Sequence, residues 1–200
     1  MYDNVRSSGR INKTFRMSST SDINLLQEYV NNYFEEPFKI LLPKYMPENC
    51  SCEGWITNYF PEIDYGPLLN KRVNYVILDY LDKDRRECYY IAESNDPLLL
   101  LAWVPSRAYI VNITDDVDGI YGEYKSKSKT VDGATVFEMG RSLRFKAGKY
   151  SIIIYDHAAD IFEKEEEVKS DSEVFSELEK EVLSLTEMVK IARSMISEVK

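Results

Sequence analysis

His157 is the only histidine among 200 residues, and that count removes much of the chemistry an imidazole supplies. Two-histidine metal sites and histidine pairs for phosphoryl transfer cannot be assembled within one chain. Asp156 precedes His157 and Asp160 follows it, so a carboxylate could orient the ring as a general base. No glycine-flanked nucleophilic serine accompanies them, and the expected role is a surface residue at a strand end. Cys50 and Cys52 are too close for a redox pair with two intervening residues, and neither they nor Cys88 has the second ligand pair of a zinc knuckle. An odd set of three suits free thiols in a reducing compartment.

Carboxylates are better placed. Asp115, Asp116 and Asp118 gather before Gly119, the local chemistry of a hard-cation loop. An EF-hand-like loop needs alternating acids and a bidentate glutamate about six residues past the glycine, where this chain has Lys125. Glu123-Tyr124-Lys125 resembles the Glu-x-Lys half of metal-dependent nucleases, so a metal-dependent hydrolase or nuclease using the 115–118 loop is the alternative reading. The eight glycines are scattered, with no phosphate-cradling arrangement, and no cofactor is expected.

Bases and aromatics interleave at Arg85-Arg86 with Tyr89-Tyr90, and at Arg141, Arg144, Lys146 and Lys149 with Phe145 and Tyr150. Readers of nucleic acid use that mixture, and an exposed sheet face looks the same. Residues 1–20 add Arg6, Arg10, Lys13 and Arg16 against Asp3 alone, a basic, serine-rich arm suited to a polyanion or an acidic partner. A nucleic-acid-binding module on Arg6, Arg10, Lys13, Arg16, Arg141, Arg144 and Lys146 is therefore a further alternative. The whole chain opposes it, because 34 acidic residues outnumber 25 basic ones and the net charge is -9.

The elements that must hold these residues fall into three blocks. After the 1–20 arm, residues 21–156 read as one α+β domain. Ser21 and Asp22 can cap a helix whose apolar positions Ile23, Leu25, Leu26, Tyr29, Val30, Tyr33 and Phe34 recur at helical spacing, and Pro37 stops it. Pro43, Pro47, Pro61 and Pro67 then predict an irregular stretch over 38–69, packed down by Tyr45, Trp55, Tyr59, Phe60 and Tyr65. Beyond it, apolar or alternating runs at 73–81, 87–93, 98–104, 107–113, 134–139, 141–146 and 149–156 read as strands. Turn residues separate them with no room for crossover helices, so a mostly antiparallel β-sandwich or barrel is expected.

Residues 157–200 form an acidic linker followed by a long helix. Ser170 and Glu173 make a capping box, and Phe175, Leu178, Val182, Leu185, Val189, Ala192, Ile196 and Val199 repeat as a heptad. A 3.5-residue period favours helix against helix, so these positions are the expected contact for a second copy or a partner helix. Acidic residues early and basic residues late favour an antiparallel arrangement. No stretch approaches the roughly 20 apolar residues of a membrane-spanning helix, and none reads as a secretory signal. The expectation is a cytoplasmic protein, or one inside a particle assembled there. Its expected function is non-catalytic: an oligomeric interaction or assembly protein, a structural or accessory subunit of a larger complex such as a nucleoprotein or viral particle.

Overall fold

The computed structural model describes residues 6–7, 10–11, 22–47, 51–57, 74–81, 87–101, 107–163 and 170–199. β1 (Arg6–Ser7) and β2 (Arg10–Ile11) pair with each other. Helix α1 (Ile23–Tyr33) starts where the Asp22 carboxylate accepts the Asn24 and Leu25 amides at 3.0 and 3.3 Å. It buries Leu26 and Val30.

Among the described residues, seven strands make one antiparallel sheet: β3 (Ser51–Thr57), β4 (Tyr75–Leu81), β5 (Glu87–Ser94), β6 (Arg107–Thr114), β7 (Val117–Lys129), β8 (Thr135–Ala147) and β9 (Tyr150–Phe162). Their order is β3-β4-β5-β9-β8-β7-β6, with β3 and β6 as its two ends. The α+β character and antiparallel pairing agree with the sequence reading. The barrel does not, because the sheet stays open. Helices fill the face that a barrel's far wall would cover.

Side chains alternate between the two faces, and register sorts them. Leu78 and Tyr80 of β4, Ile91 of β5, Ile152 and Ile154 of β9, Leu143 and Phe145 of β8, and Tyr121 of β7 meet α1 and the last helix in the main core. Phe137, Met139 and Ala158 continue that face under Val174, Leu178 and Val182. On the opposite face, Ala92 and Ile153 are covered by Leu99 of a 3₁₀ helix, Pro97–Leu101.

Four local expectations change. The apolar run at 98–104 reads as a strand, but Pro97–Leu101 forms the 3₁₀ helix, and 102–104 lie outside the described residues. Asp96 captures the Leu98 amide at 2.9 Å, and a short apolar run alone cannot separate strand from helix. β3 lies inside the stretch expected to be irregular, since the prolines leave 48–60 clear. β7 was not expected, because its Gly-, Ser- and Lys-rich sequence lacks apolar alternation; pairing to β6 and β8 on both sides holds it. Gly140 does not divide 134–146 into two strands but continues β8.

The C-terminal segment is two helices, α2 (Asp171–Glu181) and α3 (Leu185–Ile196), and not one. The break is made by the sheet. Asp156 accepts the Leu183 amide at 2.6 Å, and Arg141 donates to the Leu183 carbonyl at 3.2 Å. Ser184 then caps α3 by accepting the Glu187 amide at 3.2 Å. Backbone groups that would continue α2 are thus engaged from outside it.

Residues 38–41 lie outside any helix or strand, and side chains meet several of their backbone polar groups. Gln27, the only glutamine, accepts the Ile40 amide at 2.8 Å and donates to the Phe38 carbonyl at 2.9 Å. Glu93 accepts the Leu41 amide at 2.9 Å. Pairing backbone groups in this way lets a proline-flanked strip lie in the interior.

Candidate docking surface

The acidic loop is the tip of a hairpin. Asp115 and Asp116 are exposed in the turn between β6 and β7, and Asp118 accepts a long 3.4 Å bond from the Asn112 amide. Among the described residues no group of three or more His, Cys, Asp or Glu side chains is placed to hold a metal ion. Glu123 and Lys125 share the helix-covered face of β7, where Glu123 binds Arg141 at 3.0 Å and Lys125 approaches Glu179 at 4.0 Å. Lys125 also lies 5.7 Å over the Phe175 ring.

Asp156 and His157 point to opposite faces of β9, because that strand continues to Phe162. Asp156 is buried against Leu183, while His157 is exposed beside Tyr155 with ring centroids 5.9 Å apart. No Asp156-imidazole pair forms. Cys52 lies in β3 and Cys88 in β5, and Cys50 lies outside the described residues.

The basic residues separate in the same way. Arg141 is 7% exposed; its Nε reaches Glu123 at 3.0 Å and its terminal nitrogens reach Glu179 at 2.9 Å and the Leu183 carbonyl. Burial pushes the Glu123 carboxyl up, but the Tyr121 hydroxyl and the Arg141 guanidinium outweigh it and hold it below the usual range. Arg144, on the other face, is 3% exposed and donates to the Leu100 carbonyl at 3.3 Å. Neither arginine offers its head to a polyanion in this fold. Lys146 is exposed, Arg6 and Arg10 lie in β1 and β2, and Lys13 and Arg16 fall outside the described residues.

The heptad positions line the chain's own sheet. Leu178, Val182, Ala192 and Ile196 are buried, and Phe175, Leu185, Val189 and Val199 pack partly covered beside them. The expected contact between copies along this stripe is therefore occupied within the chain. On α3 the buried set is Met188, Ile191, Ala192, Met195 and Ile196, a broad face at 3.6 residues per turn.

Half-covered aromatics lie on the other side, and exposed apolar side chains lie at one rim. A tyrosine cluster occupies the face away from the helices. Tyr124 lies across Gly140, where an added Cβ would stand 2.2 Å from its ring, and its hydroxyl is 2.9 Å from that of Tyr155. Tyr155 in turn packs on Tyr90 with centroids 4.8 Å apart. Gly140→Ala should displace the Tyr124 ring and destabilise the fold by about 1–3 kcal/mol in urea unfolding. In a Tyr124→Ala background the same change should cost far less; an equal cost in both would show that the close approach is not the reason.

At the rim, β6 is the last strand among the described residues. Arg107, Ala108, Tyr109 and Ile110 are all exposed. Ile110, 76% exposed, pairs with Ile120 on β7, which is also exposed, and Tyr109 meets Tyr121 with centroids 5.1 Å apart. The strand's other end is anchored, since Arg193 of α3 donates to the Ile113 carbonyl at 2.5 Å. The strand carries no proline or lysine; its charge is confined to Arg107 at the start and a bulge sits at Asn112–Thr114, leaving Ala108–Val111 as the unprotected part of the edge. Sequence pattern shows β6 as a strand but cannot show that it ends the sheet. No helix among the described residues is long and apolar enough to cross a membrane. Comparison with models of protein families, with curated proteins and with solved structures found no match.

Proposed function

We propose that this chain is a non-catalytic interaction protein, a structural or accessory subunit of a larger assembly, that docks an extended partner segment along β6. One observation carries the reading: the last strand of the sheet among the described residues runs regularly over 107–112, before a bulge at Asn112–Thr114, and is flanked by the uncovered side chains of Tyr109, Ile110 and Ile120. Such an edge supplies main-chain hydrogen bonds for affinity, and alternate side chains supply specificity. A rigid scaffold supports it, with β7 on its inner side and α3 holding its end.

Ile110→Lys tests this, because a lysine at so exposed a site leaves the fold intact while charging the edge. A random peptide display library screened on the wild type should yield extended peptides of alternating apolar residues, bound about tenfold or more weakly by Ile110→Lys. An unchanged melting temperature certifies the variant. Failure to select any peptide, or equal binding to both proteins, would overturn the proposal.

A further inference from the structure

Resting on that reading, we infer that the segment docked on β6 is the β6 strand of a second copy, paired antiparallel about a two-fold axis normal to the sheet. Three features of the edge are self-complementary. The first is apolar. Ile110 sits opposite Ile120, so a pair centred on Ile110 lines up Ile120, Ile110, Ile110 and Ile120 across the joint, on the face away from the helices. The second is the helix-covered face, where the same register sets Tyr109 of each copy beside Val111 of the other; Tyr109 is 52% exposed in the single chain.

The third feature is charge. Arg107 begins β6, and the exposed Asp115-Asp116 turn follows its end. Antiparallel pairing brings each Arg107 beside the acidic turn of the other copy, whereas a parallel pair would oppose Arg107 to Arg107. Two-fold symmetry makes each contact twice, so one substitution acts at two places. The acidic turn, with no convergent metal site among the described residues, acquires a role as the counter-charge of that joint.

Sedimentation velocity over a wide concentration range tests the inference. The wild type should move from monomer to dimer, and Ile110→Lys should remain monomeric. Arg107→Asp and Asp115→Arg, each alone, should weaken the dimer about tenfold by setting like charges together, and the two combined should restore it. Ile110→Cys should give a disulfide-linked dimer on oxidation, since directly opposed residues of an antiparallel pair lie within disulfide reach. Tyr33→Cys, 70% exposed but on α1, should not.

A wild type that stays monomeric while still binding the selected peptides would overturn self-pairing and leave the docking edge standing. A dimer that survives Ile110→Lys and both charge reversals would place association on another surface and overturn self-pairing, while the docking edge itself stands or falls with the peptide selection.

Discussion

Arg141→Met should lower the unfolding free energy by about 3 kcal/mol, the low end of the cost of removing one partner from a buried ion pair. The low end applies because its carboxylate partners reach water, with the side chains of Glu123 and Glu179 38% and 51% exposed against 8% for Arg141. What keeps the loss large is the backbone. The same guanidinium meets the Leu183 carbonyl where α2 gives way to α3, and Asp156, opposite Arg141 on β9, holds the Leu183 amide. Arg141→Lys should recover little, since an ammonium cannot reach Glu123, Glu179 and a carbonyl in one fork geometry. Urea unfolding measures the loss, and amide exchange over 182–188 should quicken in both variants. A loss below about 1 kcal/mol would show that the joint is held by packing alone.

Glu93→Gln should flatten the pH dependence of stability between about pH 5 and pH 8. Glu93 is fully buried on β5; its Oε2 accepts the Leu41 amide and its Oε1 has no hydrogen-bond partner among the described residues. Burial outweighs that hydrogen bond and pushes its carboxyl up to about 8, from 4.5. The folded state therefore keeps a proton that the unfolded chain releases near 4.5, so the contribution is complete below that value. Stability then falls as pH rises toward 8, by up to about 1.4 kcal/mol per pH unit, and levels off above it. Glutamine keeps an acceptor for Leu41 and carries no charge, so at pH 8 the variant should be the more stable protein. Urea unfolding of both proteins across that window decides the matter. A wild-type profile that is flat or rising there would mean that Glu93 is not held protonated.

Much of the architecture is legible in local sequence, for reasons that stay local. Asp22 before an apolar period, and Ser170 with Glu173, mark helix starts because capping involves neighbouring amides. The turns at Gly133 and Gly148 are local in the same way, because positive φ, 93° and 57°, is a property of one residue. The antiparallel class follows from connections too short for crossovers. β7 escapes notice because its strand conformation comes from neighbours on both sides and not from its own composition.

The residues that carried chemical suggestions were resolved only by the tertiary structure. Arg141 and Arg144 differ by three positions on one strand, so they lie on opposite faces, one bound to carboxylates and the other under the 3₁₀ helix. The heptad runs unbroken through residues 182–184 because its period records which side chains are apolar, not where Asp156 and Arg141 intercept the backbone. By itself the sequence determined the class, the helix caps, the turns and the absence of a second histidine. Strand order, helix break and exposed edge were decided by pairings between residues distant in the chain, and only these leave β6 at the rim, because register and sheet order are set by long-range hydrogen bonds that no local window contains.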